Sequence, residues 1–173
     1  VTRTTNFDAV DYCCQGGGNS SGAYMGHSLK LSADGNSFIA GAPVWAGTTN
    51  MGYLQWGHFV KYTLQNGTWT NQEVKYPSIP RGWAEYVGVG ITGTPDFNKI
   101  AVVTGGGNTA YHKTGSIYML ELSGNEYVPY GSNYIIDGEG GYHDFFGSTG
   151  LRGYPQNIHM SSDGTVLAVG TIY

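Results

Sequence analysis

Short hydrophobic runs separated by polar turn residues follow one another along the chain. Asp34-Gly35 lies between two such runs in LSADGNSFIAGAP, and Asn66-Gly67 lies between two more in GHFVKYTLQNGTWTN. Asp-Gly and Asn-Gly are strong signals of tight β-hairpin turns. No helical periodicity of useful length interrupts this pattern. The pattern therefore predicts strands at residues 24–32, 37–43, 57–64 and 69–76.

The same markers recur in the same order. The aspartates of LSADGNSFIAGAP, GTPDFNKIAVVTG and MSSDGTVLAVGT are Asp34, Asp96 and Asp163, at intervals of 62 and 67 residues. A glycine marker precedes each aspartate, in YMGHSLKLS, YVGVGITGT and FFGSTG. A strand marker follows the first two, in GHFVKYTLQNGTWTN and GSIYMLELSGNEYVPY. A period of about 60 residues with four strands per unit is typical of β-propeller blades, so we expect the aspartates to occupy equivalent hairpin turns.

These motifs resemble the FG-GAP type of β-propeller repeat. The Phe-Gly and Gly-Ala-Pro for which that family is named occur here as Phe146-Gly147 and Gly41-Ala42-Pro43. The SADGN form followed by a G-x-W is similar to the unit of many secreted microbial and algal proteins, and more distantly to the integrin α-subunit head. The resemblance covers residues 22–173. It implies an all-β fold of antiparallel four-stranded blades.

The repeat also divides the chain. Residues 22–83 and 84–144 are expected to form two blades, and residues 145–173 the first hairpin of a further, incomplete blade. Residues 1–21 resemble the outer strand and exit loop of a preceding blade. Propellers have four to eight blades, so about two and a half repeats predict part of a longer chain. The alternative is a ring completed by partner chains.

Composition and charge argue against several classes of partner. Charged residues make up 12% of the chain, about half the roughly 25% of soluble domains. The net charge is -4 without a basic cluster, which argues against nucleic-acid or anionic-membrane partners. No apolar run is long enough to be inserted in a membrane. Residues 88–93 match GxGxxG, but they fall in a predicted strand rather than at the start of a helix.

No paired carboxylates, nucleophile–base pair or metal-ligand spacing stands out, so we expect no catalytic residues and no enzymatic activity. The remote alternative is a fragment of a propeller-type glycosidase. Such enzymes have an arginine cluster or facing carboxylates around the central axis, whereas the arginines here are Arg3, Arg81 and Arg152.

The only two cysteines, Cys13 and Cys14, are adjacent. They are two free thiols, a vicinal disulfide that locks a turn, or links to another chain. N-glycosylation sequons begin at Asn19 and Asn66, both in turn-like contexts. Together with the low charge and the family resemblance, these features predict an extracellular location, secreted or at the cell surface. In that oxidising environment we expect the cysteines to be bonded, to each other or to a partner chain.

Aromatic residues beside predicted loops form a candidate binding surface: Trp45, Trp83, Tyr111 and Tyr142. Uncharged aromatic surface is often buried between neighbouring proteins. We therefore expect adhesion or a structural role in an extracellular assembly, with other proteins or copies of the chain as partners. Because aromatic rings also stack on sugars, lectin-like binding of glycans is the alternative.

The most acidic loop, IDGEGGYHD, offers a weak calcium candidate in Asp137, Glu139 and Asp144, against the alternative of a solvated loop. In integrin-type repeats an alternating Asp/Asn ladder after the Gly-Ala-Pro binds calcium. This chain has VWAGTTNMG there. The departure from the family pattern leads us to expect no metal and no other cofactor.

Overall fold

The computed structural model describes residues 25–43, 57–72, 86–105, 115–137 and 158–170. Within these ranges the regular structure consists of β-strands, without a helix. The strands are β1 (Leu29–Leu31), β2 (Ser37–Ala42), β3 (His58–Gln65), β4 (Thr68–Gln72), β5 (Gly90–Gly93), β6 (Lys99–Thr104), β7 (Ser116–Ser123), β8 (Glu126–Pro129), β9 (Ile135–Asp137), β10 (Ile158–Met160) and β11 (Leu167–Val169).

The strands form three antiparallel units. The first sheet has the order β1-β2-β3-β4, and the second sheet has the order β5-β6-β7-β8 with β9 also paired to β7. Strands β10 and β11 form a two-stranded sheet, named here the third hairpin. The prediction of an all-β chain with antiparallel strands is confirmed for the described residues.

The first strand is shorter than its hydrophobic pattern predicts. It begins at Leu29 rather than at residue 24, because residues 25–28 form a turn in which Gly26 has a φ of 86°. The Gly26 N–H donates to the carbonyl oxygen of Gly41 at 2.9 Å, so this turn is held against the end of β2. The predicted turn at Asn66-Gly67 joins β3 and β4, and both residues have the positive φ that a type I′ turn requires, 51° and 78°.

The three units share one hydrogen-bonding register. In each first hairpin the same pair of positions lies opposite across the two strands, as Leu29↔Ala40, Ile91↔Val102 and Ile158↔Val169. The register between the second and third strands is also common to both large sheets, as Phe38↔Tyr62 and Ile100↔Leu120. Residues at 62-residue and 67-residue intervals in the first two strands are therefore structural equivalents.

Each unit has two faces, which we name by their neighbours. The leading face contains Leu29 in the first sheet and its equivalents Ile91 and Ile158 in the later units. The trailing face contains Ile39 and its equivalents Ala101 and Ala168. Successive side chains of a strand alternate between the two faces, which gives each unit two separate packing surfaces.

Two hydrophobic clusters join these faces in series. In the first cluster, Ile39 and Phe59 of the trailing face of the first sheet pack with Ile91 and Val102 of the leading face of the second sheet. In the second, the trailing face of the second sheet packs with Ile158 and other side chains of the third hairpin. The second sheet thus lies between the first sheet and the third hairpin.

Small residues permit close backbone contact between the first two sheets. The hydroxyl of Ser28 donates to the carbonyl oxygen of Gly88 at 2.7 Å, in a buried hydrogen bond. Gly88 has a φ of 90°, and a Cβ atom added to it would lie 2.6 Å from the carbonyl oxygen of His58. A Cβ atom added to Gly41 would overlap the Gly88 oxygen and the Ser28 hydroxyl. Side chains larger than hydrogen are therefore excluded at this junction.

Candidate functional site: the row of aspartate turns

Three six-residue turns join the first two strands of each unit, at residues 32–37, 94–99 and 161–166. Asp34, Asp96 and Asp163 occupy the third position of these turns. The first position is Ser or Thr, and the fifth is Asn or Thr. The turns are the most regularly repeated polar feature of the described chain, which makes them the candidate site.

In the first turn, one aspartate oxygen organises the backbone. The Ser32 hydroxyl donates to Asp34 Oδ1 at 2.6 Å, and the backbone N–H of Asn36 donates to the same oxygen at 3.0 Å. The Ser32 hydroxyl oxygen in turn accepts the backbone N–H of Ser37 at 2.9 Å. Aspartate and serine side chains replace backbone partners in turns in this way.

The other two turns repeat this arrangement. Thr94 donates its hydroxyl to Asp96 Oδ1 at 2.7 Å, and Ser161 donates to Asp163 Oδ1 at 2.6 Å. The backbone N–H of the fifth position donates to the same oxygen at 3.0 Å in both turns. The carboxylates are therefore engaged by their own turns.

The fourth position needs a left-handed backbone in all three turns. Gly35 and Gly164 have φ values of 72° and 70°, as expected for glycine. The second turn has Phe97 there, with a φ of 59°. The Phe97 ring is fully buried in the first cluster, and its carbonyl oxygen accepts a hydrogen bond from the Tyr127 hydroxyl at 2.9 Å. Tertiary contacts stabilise a backbone conformation that a bulky residue rarely adopts.

The three turns lie side by side. The backbone N–H of Ala33 donates to the carbonyl oxygen of Pro95 at 2.9 Å and joins the first turn to the second. The third turn contacts the second, because a Cβ atom at Gly164 would lie 2.6 Å from the Cδ atom of Lys99 and 3.1 Å from the methyl carbon of Thr94. The shared register of the three units brings the turns to one end of the stack.

A lysine of the preceding unit faces each of the two later turns. Lys61 lies close enough to Asp96 for attraction, although burial is the larger effect and lowers the pKa of Lys61. Lys99 is attracted by Asp163, and its Nζ atom donates to the Tyr130 hydroxyl at 2.9 Å, which raises the pKa of Lys99. Long-range charge pairs at partly exposed side chains contribute little to stability.

Hydrogen bonding holds the pKa of all three turn carboxyls below its usual value. The hydroxyl at the first position is the largest cause at Asp34 and at Asp163. At Asp163 this hydroxyl and the two donors of Thr165 together lower the pKa to about 2. At Asp96 the largest cause is the backbone N–H of Asn98. Donors that bond the ionised carboxylate stabilise its charge, so the folded state favours the ionised form of all three aspartates.

This pKa shift predicts how the stability of the protein depends on pH. A carboxyl whose pKa is depressed in the folded state stabilises the fold above its unfolded pKa of about 3.9 and loses that effect as the pH falls through its folded pKa. We expect the turn carboxylates to contribute a fall of the urea midpoint between about pH 4 and pH 2. The combined substitution Asp34→Asn, Asp96→Asn and Asp163→Asn should flatten that fall. Glu126→Gln controls for a lost negative charge outside the turns, and an equally steep acid transition in the triple variant would contradict the prediction.

The arrangement of the turns is suited to structure rather than to ligand chemistry. The carboxylates bond donors of the same turn, and no group of three His, Cys, Asp or Glu in the described part of the chain is placed to hold a metal ion. Asp137, from the weak calcium candidate, lies on β9 and accepts a hydrogen bond from the Ser116 hydroxyl. The GxGxxG stretch forms a turn at Gly88 followed by β5, without the helix that a dinucleotide site requires.

Many of the predicted site residues lie outside the described ranges. They are Cys13, Cys14, Asn19, Trp45, Trp83, Tyr111, Glu139, Tyr142 and Asp144. Asn66 is described, and the sequon that it begins occupies the exposed turn between β3 and β4. The roles assigned to all of these residues, Asn66 included, stay predictions.

Two features of this region were not predicted from the sequence. The hydroxyl residues Ser32, Thr94 and Ser161 precede each aspartate by two positions, a spacing that the three aligned motifs already contain. His27, which a strand pattern would leave on the surface, lies in the turn before β1, and both ring nitrogens are buried without a hydrogen-bond partner among the described residues. Burial lowers the pKa of His27, because the charged ring would lose its hydration.

Comparison of the sequence with known proteins does not assign the chain to a family. No protein-family model matches the chain, and a search of curated proteins finds no relative. No helix of the described residues is long and apolar enough to cross a membrane.

Proposed function

We propose that the chain forms blades of an FG-GAP-like β-propeller that acts outside the cell without catalysis, as an adhesive module or as a structural subunit of a surface or matrix assembly. One observation carries this proposal. Units of common register stack face to face through apolar surfaces, while the polar groups of their most regular feature are used in internal hydrogen bonds. A module of this kind presents a stiff repeated surface instead of a reactive centre.

The propeller arrangement within this proposal is supported by how the units follow one another. The leading faces of the second sheet and of the third hairpin each pack on the trailing face of the unit before, and the aspartate turns align at one end. Radially repeated four-stranded sheets are the architecture in which such packing continues around an axis. The FG-GAP-like motifs and their period of about 60 residues point the same way.

The proposal is tested by an attachment assay. Beads coated with the chain are washed over surfaces that bear extracellular-matrix proteins, immobilised glycans or neither, with and without soluble monosaccharides. We expect attachment to at least one protein surface that soluble sugars do not reverse. Attachment only to glycans, lost in Trp45→Ala or Trp83→Ala, would replace adhesion with the lectin function. Hydrolysis of chromogenic glycosides by the same protein would overturn the non-enzymatic assignment.

A further inference from the structure

We propose that His27 is an acid-sensitive switch at the first junction, the contact between the first and second sheets, and that this junction opens when the His27 ring takes up a proton. His27 lies in the turn that precedes β1. Both of its ring nitrogens are buried, and neither has a hydrogen-bond partner in the part of the chain that the structure describes. Buried polar groups without partners are uncommon in folded proteins, so this ring requires an explanation.

The repeat places His27 at the first junction. Its equivalent, 62 positions later, is Val89, which is 3% exposed and packs in the second cluster, between the second sheet and the third hairpin. The same position one unit earlier lies between the first sheet and the second. The next residue supports this placement, because the Ser28 hydroxyl donates to the carbonyl oxygen of Gly88 across the junction.

The residues on either side of His27 are held in place. The Gly26 N–H bonds the carbonyl oxygen of Gly41, and the Ser28 hydroxyl bonds that of Gly88. The two backbones are in such close contact that a Cβ atom added to Gly41 would overlap the Gly88 oxygen. Hydration of both ring nitrogens therefore requires this contact to loosen.

Protonation changes what the ring needs from its surroundings. Neutral imidazole has one donor and one acceptor, whereas the imidazolium ion has two donors and a full charge. Burying a charge without a partner costs far more than burying a neutral polar group. Burial accordingly lowers the pKa of His27, and no charge of a described residue contributes to that shift. The neutral ring is compatible with the closed junction, and the protonated ring favours an open one that water can enter.

The titratable groups around the junction do not neutralise a charged His27. Asp34 and Asp96 lie in the turns at the opposite ends of β1 and β5, where their carboxylates bond donors of those turns. Lys61 lies on the trailing face and adds positive charge. The titratable side chains that the described strands and turns bring to this junction are Lys30, Asp34, His58, Lys61, Tyr86, Asp96, Tyr118 and Tyr127.

The sign of the pH effect follows from burial. The open junction binds the proton more readily than the closed one, because its ring is hydrated and titrates near the ordinary histidine pKa of about 6.5. Closing is therefore unhindered above about pH 6.5 and becomes less favourable as the pH falls below that value. Between about pH 7.5 and about pH 5.5 the ratio of open to closed junction rises by up to about tenfold.

Amide hydrogen exchange, measured by NMR on the 173-residue chain, compares two junctions in one molecule. The Ala33 N–H donates to the carbonyl oxygen of Pro95 across the first junction at 2.9 Å. The Met160 N–H donates to the Thr92 hydroxyl at 3.2 Å across the second junction, which has valine in place of the histidine. After correction for intrinsic exchange rates, protection of the Ala33 amide should fall by about three- to tenfold from about pH 7.5 to about pH 5.5. Protection of the Met160 amide should stay constant.

Substitution of the histidine tests its role directly. His27→Val introduces the residue of the second unit and should make protection of the Ala33 amide independent of pH in this range. His27→Gln keeps a polar side chain without the titration and should do the same, which covers the case of a valine variant that does not fold. Circular dichroism with a thermal scan at about pH 7.5 shows whether each variant has kept its fold.

Two further histidine variants are the matched controls. His159→Gln removes an exposed histidine of β10, and His58→Gln removes the histidine at the start of β3. Both should keep the acid response of the unmodified chain. A response that persists in the folded His27 variants, or that is equal at the two junctions, would overturn the proposal. The switch is a property of the fold and goes beyond the proposed function, so its failure would leave the adhesion assay unaffected.

Discussion

Gly88→Ala is expected to lower the free energy of unfolding by about 3 to 5 kcal/mol, because the new methyl group would collide with backbone atoms that cannot rotate away. The methyl carbon would lie 2.6 Å from the carbonyl oxygen of His58 and 3.1 Å from the Cα atom of Gly41. Relief would require the first two sheets to separate and the buried bond from the Ser28 hydroxyl to break. Urea denaturation followed by circular dichroism measures the loss.

Gly26→Ala is the matched control for this substitution. Gly26 occupies the equivalent position with a nearly identical φ, and its added methyl group would meet no described atom within 4 Å. Only the left-handed backbone should then cost stability, by about 1 to 2 kcal/mol. Equal losses in the two variants would show that backbone conformation, and not the contact between the sheets, determines the need for glycine.

Phe97→Ala is expected to cost about 3 to 5 kcal/mol, which is typical for removing a fully buried aromatic ring. Phe97 is 0% exposed and packs in the cluster that joins the first two sheets. Alanine removes the ring and keeps the cost of a φ of 59°. Phe97→Gly also removes the ring but relieves that cost, so the glycine variant should be more stable than the alanine variant by about 1 kcal/mol. Thermal or urea unfolding of the pair measures the difference.

Gly35→Ala provides the control for the backbone part of this prediction. Gly35 is the equivalent residue of the first turn, with a φ of 72° and no described atom within 4 Å of an added Cβ. Its loss of stability reports the cost of the left-handed backbone alone. An alanine variant at Phe97 that is as stable as the glycine variant would contradict the prediction that the Phe97 turn is held under strain by its buried ring.

The aspartate turns show how far local chemistry can be predicted. Asp34, Asp96 and Asp163 were expected in hairpin turns, and the structure places each at the third position of a six-residue turn between two paired strands. Every bond that defines these turns joins residues within five positions of each other, so the sequence motif contains all of its partners. The hydroxyl at the first position was missed although it lies in the same motif, because turn signals are usually read from Asp and Gly alone.

The candidate site itself was harder to predict. The aromatic and acidic residues singled out from composition lie mostly beyond the described ranges, and the regular polar feature belongs instead to the turns. Phe97 illustrates the difficulty, because sequence propensity assigns the fourth turn position to glycine. The hydrogen bond from Tyr127 and the buried ring, which come from elsewhere in the chain, reverse that preference.

The sequence by itself determined the all-β class, the positions of the hairpin turns and the period of the repeat, because these depend on turn residues and alternation over short spans. Only the tertiary structure decided which of two equivalent glycines must remain glycine and which of three equivalent apolar residues is exposed. Gly26 and Gly88 occupy equivalent turns, as Leu29 and Ile91 occupy equivalent strand positions, and they differ only in whether another unit packs against them. Contacts of that kind join residues about 60 positions apart, so no local pattern contains them.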